Sequence, residues 1–126
     1  MARSVLIQLA RDSIQEVIEA KRTIDRETLL SQHPLLEYSV ATTVNLYLDG
    51  KLRGSSSSES PQRSLLEDIV YNAKVAAFQS EFGTVSTAEY LACEVEVILH
   101  TEDEDMSEKD PSILKSSPYK LGNLLE

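Results

Sequence analysis

Val40-Ala41-Thr42-Thr43-Val44-Asn45-Leu46-Tyr47-Leu48-Asp49-Gly50-Lys51-Leu52-Arg53-Gly54 is the stretch on which the fold turns. Val40, Thr42, Val44, Leu46 and Leu48 fall on one side of an extended chain, and Thr43, Asn45 and Tyr47 fall on the other. A period of two with one apolar side describes a half-buried strand of an antiparallel sheet. Asp49-Gly50 supplies the residues a tight hairpin turn demands, and Lys51 to Gly54 carries the chain back. The four serines that follow, within a serine-rich connection from Ser55 to Ser60, lead to a helix from about Leu65 to Phe82. Strand, hairpin, glycine exit and helix together predict a structured corner.

Working outward, Arg3 to Arg22 predicts a first long helix. Val5, Leu6, Leu9, Ser13, Ile14, Val17 and Ile18 recur at three- and four-residue spacing as its apolar stripe. Gln8, Arg11, Asp12, Gln15, Glu16 and Glu19 are assigned to the opposite, wet side, with Lys21 and Arg22 at the negative end of the helix dipole. A short helix follows over 24–32 with Asp25 as N-cap, and His33-Pro34 stops it. In the second long helix Leu65, Leu66, Ile69, Val70, Ala73, Ala76, Ala77 and Phe78 form the buried side, opened by Pro61 or Ser64 and ended by Gly83. Ser86 and Glu89 have capping-box spacing for a short helical turn. Cys93, Val95, Val97 and Leu99 then alternate with Glu94, Glu96 and Ile98 as a second strand. The expected fold is α+β, a mostly antiparallel sheet flanked by two long helices in a single domain. The domain is expected over residues 1–100, with residues 101–126 an acidic C-terminal tail.

The 126 residues suffice for one domain with a sizeable core and no covalent staple. With 21 acidic against 12 basic residues the net charge is −9, which argues against nucleic acid as a partner. No lysine–arginine cluster stands out along the chain. Cys93 is the one cysteine, so no internal disulfide forms and no cysteine-based metal cluster is expected. No stretch reads as a secretory signal or a membrane span, and a cytoplasmic location is expected.

The ordered set Gly50-Lys51-Leu52-Arg53-Gly54, Leu66-Glu67-Asp68, Asn72-Ala73, Ala76-Ala77-Phe78 and Glu94-Val95-Glu96-Val97 resembles the AMMECR domain family over about residues 3–100. Bacterial and archaeal members of that family are often named AmmeMemoRadiSam system protein A. The resemblance implies an α+β fold and, through the family's naming, Memo-like and radical-SAM protein partners. Two departures stand out. Ser55-Ser56-Ser57 replaces the family's Cys-Ile-Gly, so the motif thiol is lost. The family also continues for several dozen residues with a glycine-rich strand region, where this chain has a short acidic tail and is expected to be a shortened member.

The candidate ligand-binding residues are Arg53, Gly54, Ser55 and Ser56. A guanidinium at a strand end suits a bidentate carboxylate or phosphate, and amides and hydroxyls ahead of a helix suit an anion. The competing structural expectation pairs Arg53 with Glu67 or Asp68. Ser55 as a nucleophile needs a base, and only His33 and His100 are available; neither stands in a recognisable triad setting. His33 is expected in a surface loop, and His100 solvated or beside Glu102. Cys93 is expected buried and inert. No catalytic residue, metal or cofactor is assigned. The expected function is a non-catalytic binding or adaptor module working with protein partners, with homo-oligomerisation as a further possibility. The alternative is an enzyme, or enzyme component, holding an anionic substrate at the Leu52-Arg53-Gly54 corner.

Overall fold

The structure, a computed structural model, describes residues 5–80, 83–101 and 105–109. Its helices are α1 (Val5–Glu19), α2 (Arg26–Gln32), α3 (Leu65–Phe78) and α4 (Thr87–Ala92), with a short 3₁₀ turn at Pro34–Glu37. The strands β1 (Ala41–Leu48), β2 (Lys51–Ser57), β3 (Glu94–His100) and β4 (Asp105–Lys109) form one antiparallel sheet in the order β2-β1-β3-β4. The α+β class read from the sequence is the fold observed. β4 lies within residues assigned to the acidic tail and pairs along β3 from His100↔Asp105 to Glu96↔Lys109. Its side chains are mostly polar, so no apolar alternation announced it.

Val44, Leu46, Val95 and Val97 line the inner face of the sheet and meet Leu66, Ile69, Ala73, Ala76 and Ala77 of α3 and Ile7, Leu9, Ala10 and Ile14 of α1. Those four strand residues are 0 % exposed, so the period-two reading picked the buried face correctly. The hairpin turns at Asp49 and Gly50, both with positive φ (53° and 78°), and Leu48 pairs with Lys51. That backbone matches the right-handed strand twist, which is why Asp-Gly stands there.

Two expectations about the helices change. α3 ends at Phe78 and not near Gly83, because the chain reverses early. The Gln79 amide closes the last turn on the Val75 carbonyl, and the Val85 amide returns to Ala77 O at 2.7 Å. In α1 the buried face is rotated from the apolar stripe: Val17 is 45 % exposed while Arg11 and Glu16 are buried. Both charges are held in by backbone groups that need them. Arg11 donates to the carbonyls of Tyr90 (2.8 Å) and Cys93 (3.1 Å) at the end of α4, and its guanidinium lies over the Tyr90 ring. Glu16 accepts from the amides of Thr23 (2.7 Å) and Ile24 (2.9 Å).

Candidate functional site

The Leu52-Arg53-Gly54 corner is built around a break in strand register. Leu46 pairs with Gly54 but Tyr47 pairs with Leu52, so Arg53 is the extra residue of a β-bulge. A bulge bends its strand and re-aims the extra side chain. The guanidinium meets Glu89 of α4 in a two-pronged pair, Nε to Oε2 at 2.9 Å and Nη2 to Oε1 at 3.1 Å. It also donates to the carbonyls of Gly83 (3.2 Å) and Thr84 (3.0 Å). All three guanidinium nitrogens are thus committed inside the chain, and the side chain is 14 % exposed.

The pairing expected with Glu67 or Asp68 is therefore replaced. Glu67 pairs with Arg26, and Asp68 with Arg63. The partner lies 36 residues downstream, beyond what sequence proximity suggests. Glu89 also completes the capping box of α4 by accepting from the Ser86 amide. Hydrogen bonding from Arg53, then from the Ser86 amide, holds the Glu89 carboxyl down at about 2. The same pair pushes the Arg53 guanidinium up.

Gly54 is required by a close approach. A Cβ there would sit 2.1 Å from the backbone oxygen of Ala76, so β2 and α3 touch backbone to backbone. Ser55 and Ser56 diverge, as neighbours on a strand must. Ser55 is exposed and donates to Asn45 Oδ1 (2.6 Å), while Ser56 donates to Asn72 Oδ1 (2.6 Å). Arg53, Ser55 and Ser56 thus each make contacts of their own, to Glu89, Asn45 and Asn72. Ser55, Ser56 and Ser57 belong to β2 rather than to a solvated connection.

Behind the corner lies a buried polar hub that the sequence reading did not single out. Asp68 is 1 % exposed; its Oδ2 accepts from the Thr42 amide (2.8 Å) and hydroxyl (2.7 Å), and its Oδ1 from Ser58 (2.7 Å) and Arg63 (2.9 Å). Asn72, 0 % exposed, donates to Thr42 O at 3.1 Å and to Ser58 Oγ at 3.0 Å. Asp68 and Asn72, four residues apart on α3, thereby tie that helix to β1 and the end of β2. The signal was present as two polar residues on an otherwise apolar helical face.

The outer face of the sheet carries a second network. Glu96 accepts from Asn45 (3.0 Å), Tyr47 (2.8 Å) and Ser107 (2.9 Å), and Lys109 lies over the Tyr47 ring. Burial pushes the Glu96 carboxyl up, but these three hydrogen bonds and the Lys109 charge outweigh it and leave it below the ordinary range. Tyr47 is pushed up by burial and by its bond to Glu96. His100 pairs with Asp105 (2.8 Å) and meets Thr43 Oγ1 at 2.7 Å; the expectation that it is solvated or beside Glu102 falls partly on Glu102, outside the described residues. Cys93 is a buried thiol, as expected, 2 % exposed and donating to the Tyr90 carbonyl at 3.3 Å. Among the described residues, no helix is long and apolar enough to cross a membrane.

The AMMECR1 family profile matches residues 7–122. The chain belongs to the AMMECR1 family. Its Leu-Arg-Gly and Asp/Asn motif residues are those that meet at the corner and the hub. No curated protein matches in sequence. Among solved structures, the chain is similar to the uncharacterised protein PH0010 from Pyrococcus horikoshii, with a TM-score of 0.64 and 23 % identity. The match covers 75 % of this chain and 48 % of that one, so this AMMECR1 chain spans about half of that neighbour.

Proposed function

We propose that this AMMECR1 domain is a non-catalytic binding module that engages a folded protein partner in the cytoplasm through the outer face of its sheet. One observation carries the reading: the motif side chains are spent on the fold, whereas the outer face is ordered and has no described element packed on it. Tyr47, Asn45, Glu96 and Ser107 hold one another in fixed positions. A partner would meet a surface whose side-chain entropy is already lost. Leu52, 44 % exposed and opposite Tyr47 in the register, offers an apolar anchor at its margin. The family's naming makes Memo-like and radical-SAM proteins the first partners to test.

The test is immobilised wild-type domain against a Memo-like protein and a radical-SAM protein, beside Leu52→Asp and Tyr47→Ala. The reading expects saturable binding to one of them, weakened about tenfold or more by either substitution, a loss of about 1.4 kcal/mol. Binding that is untouched by both would refute it, as would a dimer in light scattering that these substitutions dissociate. The enzyme alternative requires Arg53 to leave Glu89 for an anionic substrate. A thermal-shift screen of anionic metabolites, with hits lost in Arg53→Ala, would favour it.

A further inference from the structure

On the helical side of the molecule, the end of α1, the chain after it and Lys74 of α3 border an open hollow of about 260 Å³. Four cations, Lys21, Arg22, Arg26 and Lys74, and one carboxylate, Glu16, line it, in a chain that has 12 cations in all and a net charge of −9. Lys74 shares its charge with Glu16 (3.3 Å) and Arg26 with Glu67 (2.8 Å). Lys21 and Arg22 are exposed and have no ion-pair partner among the described residues. Two carboxylates of this stretch are turned to neighbours of their own: Glu19 accepts from Gln15, and Asp25 caps α2 through Thr28. The hollow is therefore positive within an acidic molecule.

It is also built rather than loose. Ala20 adopts φ 55°, a left-handed conformation that disfavours any residue with a Cβ. That turn lets the Ala20 and Lys21 amides close on the carbonyls of Val17 and Glu16, which satisfies two of the end carbonyls of α1. Buried Glu16 then pins the returning chain through the Thr23 and Ile24 amides. Burial pushes the Glu16 carboxyl up, yet the Ile24 and Thr23 amides and Lys74 together hold it below the ordinary range, so it stays charged and keeps Lys74 in place.

We propose that this hollow binds a small phosphate-bearing anion, a phosphate monoester or a diphosphate. Among the described residues the Arg22 fork and Lys21 are free of ion pairs; backed by Lys74 and by Arg26, which is held through Nε alone, they match several phosphate oxygens better than one carboxylate. The volume suits a small group rather than a polymer. The site is separate from the outer face of the sheet and independent of the partner reading.

The experiment is a nitrogen-15 NMR titration of the full chain with pyrophosphate, glycerol phosphate, inorganic phosphate and acetate, at low and moderate salt. Wild type is compared with Lys21→Gln/Arg22→Gln, whose exposed positions leave the fold intact. The proposal expects saturable binding of at least one phosphate compound, shifts centred on residues 16–26 and 74, and affinity at least about tenfold lower in the double variant. Saturation by inorganic phosphate as tightly as by glycerol phosphate assigns the phosphate group alone, and tighter binding of the ester assigns a phosphate metabolite; both support it. No saturation below about 10 mM, equal binding of acetate, equal binding by the double variant, or shifts centred elsewhere would each overturn it.

Discussion

Arg53 and Glu89 lock together across the molecule, one on a bulged strand and the other in the first turn of a short helix, with two hydrogen bonds of 2.9 and 3.1 Å. Glu89 at once caps its own helix and fixes the arginine, which in turn holds the carbonyls of Gly83 and Thr84. The arginine of the family motif is therefore a brace between β2, the chain after α3, and α4.

This pair sets a direction for stability against pH. The Glu89 carboxyl is held down at about 2 in the fold, chiefly by Arg53. A carboxyl depressed on folding contributes stability fully above its unfolded value, near 4.5, and loses it as pH falls toward the folded one. Glu16 and Glu96 are depressed as well and act in the same sense. The melting temperature should be flat from neutral pH to about 5 and fall below it. Glu89→Gln should start lower and fall less steeply, as read by circular dichroism.

Gly54→Ala should be severely destabilising, since its Cβ would sit 2.1 Å from Ala76 O and neither backbone can yield cheaply. Overpacking of this kind costs about 1–3 kcal/mol or more. Urea unfolding measures it. Gly50→Ala is strained for a different reason, its φ of 78°, and meets no neighbour within 4 Å.

Asp68→Ala removes the acceptor of five hydrogen bonds, one of them from Asn72, and leaves the Thr42 amide and the Arg63 charge without it. Removing one partner of a buried charged pair costs about 3–5 kcal/mol; Arg63 is part-exposed, so the low end is expected. Asn72→Ala should cost about 1–3 kcal/mol, the penalty for unsatisfied buried groups. The two lie in one network, so the double variant should lose less than the sum of the single losses. Chemical denaturation of all three checks this.

Tyr47→Phe frees Glu96 from one of its three donors on the outer face. Two donors and Lys109 remain, so the change should cost about 1 kcal/mol or less. The same variant should lower the affinity for a protein partner if the outer face is the docking surface. Calorimetric melting together with the immobilised-domain assay separates the two effects.

Where one side of an element was apolar, the sequence was sufficient. β1, β3, α3's buried side, the Asp-Gly turn, the Asp25 cap and the Ser86–Glu89 box were all legible because local periodicity and turn chemistry agreed. β4 was not, because an edge strand with polar side chains has no alternation to read. The burial of Arg11 and Glu16 was also hidden, since what holds them is distant backbone: carbonyls some 80 residues away for Arg11 and amides of the following loop for Glu16. The corner was located correctly in the chain, but the partner of Arg53 was not, because α4's position depends on the tertiary path. The basic hollow escaped notice because Lys74 joins Lys21, Arg22 and Arg26 only in three dimensions.

The central claim is that the motif arginine holds the fold, and a double-mutant cycle tests it most directly. Urea midpoints would be measured for Arg53→Ala, Glu89→Ala and the pair. If the arginine is a brace, each single variant is destabilised and the double is little worse than either. Strictly additive losses, or an Arg53→Ala protein as stable as wild type that has lost an anionic ligand, would contradict it.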